Sequence, residues 1–164
     1  MKNNKRGQVE VLFLIVVAFA FALTIFIGYK FINELNTNIQ TDGDATAEAK
    51  AASLNATSRY PNIFDGGFIM FFILVWIAIL VSAWFIDTSP IFFIVSLIVF
   101  VFTLIVSFAL TDVYTEFLTD ADFLGFNTTF PMVNFVLSNL GVFCLVIGFS
   151  LIVVLYGKSK AQNV

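Results

Sequence analysis

The sequence predicts an all-α integral membrane protein with four transmembrane helices, and three observations indicate this class. Of the 164 residues, 60% are hydrophobic and 12% are charged, whereas soluble domains are roughly half apolar and about a quarter charged. The 22 phenylalanines add more apolar surface than a soluble fold of this size can bury. Four apolar runs each contain about 20 residues or more, which is enough to cross the ~30 Å hydrocarbon core of a bilayer as a helix.

The four predicted spans cover residues 9–29, 67–86, 91–110 and 132–156. Each must be helical, because backbone polar groups in lipid need partners within their own segment. Glu10, at the edge of the first run, is the only charged residue in these ranges. The rest of the chain is divided into tails and connections, with these predicted bounds: tail 1–8, outer polar loop 30–66, tight inner turn 87–90, outer acidic loop 111–131 and tail 157–164.

The predicted loop 30–66 contains helical segments of its own. KFINELNTNIQ continues the first helix beyond the membrane, and Thr41-Asp42-Gly43-Asp44 ends it. ATAEAKAASLNATSR is rich in alanine, which favours a second, exposed helix. Tyr60-Pro61 and Gly66-Gly67 are then expected to turn the chain back into the membrane.

The two remaining connections differ in kind. In the inner turn, Ser89 can cap the third helix and Pro90 suits its first turn. In the loop 111–131, apolar residues recur at helical spacing beside a row of acids, which predicts a short amphipathic helix on the membrane surface. A solvated loop is the alternative. The apolar positions of this predicted helix are Val113, Phe117, Ala121 and Leu124.

The charge distribution predicts the orientation. Five of the eight basic residues flank the termini, at Lys2, Lys5, Arg6, Lys158 and Lys160. With four spans both termini lie on one side, and the positive-inside rule makes that side cytoplasmic. Asn55 and Asn127 begin N-x-S/T sequons on the predicted outer side, and they are the candidates for glycosylation. The same side carries nine acids: Glu34, Asp42, Asp44, Glu48, Asp65, Asp112, Glu116, Asp120 and Asp122.

The start of the chain bears on whether the first run is retained. Lys5, Arg6, Gly7 and Gln8, followed by the apolar run 9–29, resemble the amino-terminal segment of archaeal type IV pilin-like precursors. The resemblance covers this segment alone, and it implies cutting after Gly7 by a prepilin-type peptidase. In that family an acid usually stands fifth after the cut, whereas Glu10 would be third here. We therefore expect the run to remain as an uncleaved anchor.

The residue inventory favours a non-catalytic protein. Histidine is absent and Cys144 is the only cysteine, so the usual zinc, haem and copper sites and an activated Ser or Cys nucleophile are not expected. No charged residue lies in the middle of a predicted span, where pumps and transporters usually place one. The net charge of −3 gives no support for nucleic-acid binding. We expect no cofactor and no metal.

Small and hydroxyl-bearing residues form stripes along the predicted spans. Small residues four apart let helices approach closely, and Ser, Thr and Asn form hydrogen bonds across the contact. We interpret these stripes as helix-packing surfaces within one bundle or between copies, with a polar pore as the alternative. The predicted packing residues are Ala18, Ala22, Gly28, Ser96, Thr103, Ser107, Asn134, Ser138, Gly141, Cys144 and Gly148.

These patterns together predict a structural role. We expect a scaffold or accessory subunit of a larger membrane assembly, whose partners are the lipid bilayer and other membrane or coat proteins. The membrane of a virus particle is one such setting. The alternatives are a holin-like or small-channel pore former and a pilin-related or secretion-machinery protein. The acids expected to meet a partner with basic groups are Asp112, Glu116, Asp120 and Asp122.

Overall fold

A computed structural model describes residues 7–85 and 90–162, with side chains described for 9–85, 94–154 and 156. Within these residues the chain forms helices and no strands, so the prediction of an all-α fold is confirmed. A single 3-10 turn lies at Ala121–Phe123. The α-helices are α1 Gly7–Thr41, α2 Ala47–Trp84, α3 Pro90–Phe117, α4 Phe126–Thr129, α5 Pro131–Ser138 and α6 Leu140–Gln162.

Three helical segments are long and apolar enough to cross a membrane, namely Val9–Thr41, Ala47–Trp84 and Ile94–Phe117. The fourth apolar run is divided into α5 and α6, whose axes differ by 71°. Pro131–Ser138 and Leu140–Val154 reach the required length and hydropathy only when they are counted as one bent span. The described part of the chain therefore provides three or four crossings, which is compatible with a membrane protein.

Helices α1 and α2 form a long antiparallel hairpin. The hydroxyl of Tyr60 donates to the carbonyl of Ile25 at 3.1 Å, and the rings of Phe21 and Phe68 stack at 6.1 Å. At 35 residues, α1 is about 52 Å long, so it exceeds a ~30 Å hydrocarbon core by about 20 Å. We call the projecting part the stem: residues 30–41 of α1 and 47–59 of α2.

The predicted turns at Tyr60-Pro61 and Gly66-Gly67 are wrong, because α2 passes through both without a break. A proline inside a helix costs about 3 kcal/mol relative to alanine, and a glycine about 1 kcal/mol. Contacts with α1 on both sides of these residues offset that cost. Tyr60, just before the proline, contacts Ile25, and Phe68, just after the glycines, contacts Phe21. The preference of proline and glycine for turns can be read from the sequence, but the contact with α1 that outweighs it cannot.

The predicted surface helix in 111–131 is also wrong. Val113 and Phe117 belong to the last turns of α3, which ends at Phe117. Ala121 begins the 3-10 turn, and no helix reaches Leu124, because the backbone of Leu124 is extended, with φ −56° and ψ 130°. We call residues 118–138 the lid; they comprise the 3-10 turn, α4 and α5.

The core is centred on α1. In the most apolar part of α1, 44% of the residues are buried, against 22% in α2 and 17% in α3, so most residues in those parts of α2 and α3 are not covered by the rest of this chain. Residues 87–89 of the predicted inner turn 87–90, with the Ser89 cap, lie outside the described residues, as do the basic residues Lys2, Lys5 and Arg6. Pro90 begins α3, as expected. The buried residues of α1 recur at helical spacing: Val11, Leu14, Ile15, Ala18, Ala22, Ile25 and Phe26.

Candidate interaction site at the lid

A buried carboxylate holds the lid to the helix bundle. Asp65 of α2 is 7% exposed, and its two oxygens accept hydrogen bonds from the backbone N–H groups of Met132 at 3.0 Å and Val133 at 2.8 Å. The first N–H groups of a helix have no partner within the helix. Phe130, at the N-cap of α5, has no side chain able to cap. Asp65 therefore supplies the missing cap from another helix.

Asp65 lies beside the first apolar run rather than outside it. Tyr60 contacts Ile25, and Phe68 contacts Phe21, so the level of Asp65 falls between these two contacts. Asp65 therefore lies within helix α2, packed beside α1, and not in an irregular loop. The sequence does offer one signal: α5 begins at Pro131 directly after Phe130, with no Ser, Thr, Asp or Asn at the capping position.

A second polar contact joins α5 to α3. The hydroxyl of Tyr114, which is fully buried, donates to Oδ1 of Asn134 at 3.0 Å. Ser138 donates to the same oxygen at 3.1 Å. Thr111 donates to the carbonyl of Leu137 at 3.2 Å. Asn134 and Ser138, which the sequence predicts as packing residues, thus act within one chain.

Aromatic rings fill the space between the lid and the helix ends. Phe26 of α1 lies within 5.3–6.2 Å of four rings, contributed by α3 and by the lid. Tyr29 contacts the two lid rings edge-on, at 5.6 and 5.3 Å. Each such pair contributes about 0.5–1.5 kcal/mol beyond the area that it buries. The lid is therefore a packed part of the fold rather than a free loop.

This packing makes the Tyr114 hydroxyl testable. We expect Tyr114→Phe to lower the free energy of unfolding by about 1 kcal/mol, because the ring stays and one buried hydrogen bond is lost. The measurement is denaturant unfolding in detergent micelles. Tyr29→Phe is the matched control, since no hydrogen bond of the Tyr29 hydroxyl is seen among the described residues. Equal stability of the two variants would contradict the assigned hydrogen bond.

A pocket lies in the corner between the stem and the outer surface of the lid. Lys30 crosses it, because its Nζ is 2.8 Å from Oδ2 of Asp122 and 5.4 Å from the centre of the Phe123 ring. The cavity measures about 330 Å³, which is the lower end of the range for small-ligand sites. Its walls are Tyr29, Lys30, Asn33 and Glu34 of α1, and Asp122, Leu124, Phe126 and Thr129 of the lid.

The predicted packing residues of the spans lie at contacts between helices. Ala18, Ala22 and Cys144 are fully buried. Gly141 and Gly148 of α6 lie against the rings of Phe108 and Phe100 of α3, and a side chain at either glycine would collide with the ring. Gly28 lies against Tyr60 in the same way.

The hydroxyls of α3 point into the bundle. Ser96, Thr103 and Ser107 are buried. Thr103 donates to the carbonyl of Val99, and Ser107 to that of Leu104, both at 2.8 Å. Within one chain these two hydroxyls are therefore used by their own helix.

The predicted docking acids are all exposed but do not form one row. Asp112 and Glu116 lie on the last turns of α3, which ends before Asp120. The Asp120 side chain instead accepts from the N–H of Asp122 at 2.9 Å. Asp122 pairs with Lys30. The prediction of a single stripe at four-residue spacing is therefore wrong: two of the acids lie at the end of α3 and two lie on the lid.

The two sequons differ in their surroundings. Asn55 is exposed but lies inside α2, and Thr57 of its sequon is buried, with its hydroxyl donating to the carbonyl of Ser53. Asn127 is exposed on α4, and its side chain accepts from the N–H of Thr128. Acceptor sequons usually lie on surface loops, so Asn127 has the more suitable surroundings.

Within the described residues, no three His, Cys, Asp or Glu side chains are placed to share a metal ion. No family model, no curated protein and no solved structure matches this chain.

Proposed function

We propose that the chain is a non-catalytic scaffold or accessory subunit of a larger membrane assembly. It is anchored by four spans, with α5 and α6 together forming the last, and both termini are cytoplasmic. The stem and the lid then face outwards, towards other membrane or coat proteins. The observation that carries the proposal is the stem, because it extends about 18 Å beyond the apolar run and presents a fixed surface away from lipid.

The stem is held together by contacts between its two helices. Oδ1 of Asn36 accepts from the hydroxyl of Ser53 at 2.9 Å, and Nε2 of Gln40 donates to the carbonyl of Lys50 at 2.8 Å. Thr46 caps α2 by accepting from the N–H of Ala49. These contacts fix the register of the hairpin up to its tip, so a partner meets a defined shape.

The charge of the outer surface favours a basic partner. Eight exposed acids lie on the stem, on the link 42–46 at its tip, at the end of α3 and on the lid, against the three basic residues Lys30, Lys50 and Arg59. Complementary charge speeds association and selects partners. In the sequence, five of the eight basic residues lie near the two termini, which favours a cytoplasmic location for both. A virus particle with an internal membrane beneath a protein coat is one setting that fits.

Shortening the stem tests this function. The variant lacks residues 37–52 and joins Asn36 to Ser53, which already touch, through a short turn rich in Gly and Asn. Both proteins are extracted from the native membrane in mild detergent, and every co-purified chain is identified and counted by mass spectrometry. We expect the full chain to retain its partners in a fixed ratio. The amount of partner that co-purifies with each copy of the variant should be at least about tenfold lower.

Two controls complete the experiment. The variant must insert in the membrane at the same level as the full chain, and neither protein should make liposomes leak to ions. A full chain that purifies without any partner in fixed ratio would contradict the scaffold function. Ion leak would favour the pore former, and an intact mass that begins at Gln8 with filament or secretion components would favour the pilin-related alternative.

A further inference from the structure

The corner pocket carries more negative than positive charge. Lys30 is its only cation, and it forms an ion pair with Asp122 at 2.8 Å. Glu34 and Asp120 also act electrostatically on Lys30. The pocket wall carries two carboxylates, Glu34 and Asp122, against the one ammonium group of Lys30, so the corner has a residual negative charge that attracts a second cation.

The spacing of the carboxylates selects the kind of cation. Ca²⁺ and Mg²⁺ require several oxygens converging at about 2.0–2.6 Å, and no such group of acids exists among the described residues. Glu34 stands on the stem wall and Asp122 on the lid wall. A guanidinium group spreads its charge over five N–H donors, so it can contact carboxylates that do not converge.

The remaining walls suit the rest of an arginine side chain. The half-buried ring of Tyr29 forms part of the wall, and arginine stacks on aromatic faces. Leu124 is 67% exposed and offers an apolar contact for the methylene groups of an arginine. Asn33 and Thr129 add polar atoms to the wall.

We propose that the corner pocket binds an arginine side chain presented by a partner protein. That the arginine comes from a partner protein rests on the proposed scaffold function, whereas the binding of an arginine side chain does not. Arginine anchors that fill a central pocket commonly carry much of the energy of an interface. The stem would then set the direction of approach, and the pocket would fix the position of the partner against the lid.

The test uses small probes on the full chain in an uncharged detergent. The ¹⁵N-labelled protein is titrated with N-acetylarginine amide, with the neutral isostere N-acetylcitrulline amide, and with MgCl₂. We expect the arginine probe alone to give saturable shifts of the amides of Asn33, Glu34, Leu124 and Phe126, with a Kd of about 1–10 mM. Glu34→Gln should weaken it at least about threefold. Glu48→Gln, outside the pocket, should leave the Kd unchanged.

Several outcomes would overturn the inference. Equal shifts of the same amides with the citrulline probe would contradict it. So would arginine shifts that spread over all exposed acids without saturating, or a Glu34→Gln variant that binds the probe as well as the original chain does. Stronger effects from MgCl₂ at the same amides would assign a metal site instead. If the arginine probe does not bind but partners co-purify in a fixed ratio, only the proposed arginine site is refuted. If the probe binds but no partner co-purifies, only the proposed scaffold function is refuted.

Discussion

Asp65→Ala is expected to lower the free energy of unfolding by about 3 kcal/mol. The substitution removes the two charge-assisted hydrogen bonds that cap α5, and each is worth about 1.5–3 kcal/mol. The gain from no longer burying a carboxylate offsets part of that loss. Asp65→Asn keeps one acceptor oxygen, so we expect it to lose about half as much.

The measurement combines denaturant unfolding in detergent with hydrogen exchange. We expect the amides of Met132 and Val133 to lose protection in Asp65→Ala, while the amides of α6 keep theirs, because the cap acts on α5 alone. Asp112→Ala, at an exposed acid of α3, is the control, and it should change stability by at most about 0.5 kcal/mol. Protection of Met132 and Val133 that survives Asp65→Ala would contradict the cap.

Gly148→Ala is expected to destabilise the protein by about 1–3 kcal/mol, because the added methyl group would overlap the half-buried Phe100 ring of α3. The effect should shrink when Phe100 is replaced by leucine, which a double-mutant cycle measures directly. Gly141→Ala should cost less, since the Phe108 ring that it meets is 53% exposed and can turn towards lipid.

A matched control separates packing from helix propensity. Gly66 also lies inside a helix, and no atom stands within 4 Å of an added Cβ there. Gly66→Ala should therefore stabilise the protein by up to about 1 kcal/mol, through propensity alone. If Gly148→Ala stabilised the protein as much as Gly66→Ala does, the close contact between α3 and α6 would be refuted.

Hydropathy predicts the helical membrane segments well, since length and apolarity are properties of a local stretch. The residues that depart from prediction are those whose conformation depends on a distant partner. Pro61 stays in α2 because α1 packs beside it, which no local preference indicates. The break at Asn139 divides an apolar run that has no proline at that point, although Gly141 follows two residues later.

In the candidate site, too, local features can be predicted from the sequence, and features that depend on distant residues cannot. Small residues such as Ala18 and Gly148 are recognisable as packing positions from spacing alone. The role of Asp65 is not, because it depends on helix α5, which begins more than sixty residues later. The corner pocket likewise requires the stem and the lid to meet, and the sequence places Lys30 and Asp122 in two different loops.

The cap of α5 also determines an order of assembly during synthesis. Asp65 leaves the ribosome long before Met132 and Val133, the residues that donate to its carboxylate. These donors lie 67 and 68 residues after Asp65 in the chain, and the first N–H groups of a helix have no partner within it. The cap of α5 can therefore form only after the chain has been made as far as the lid.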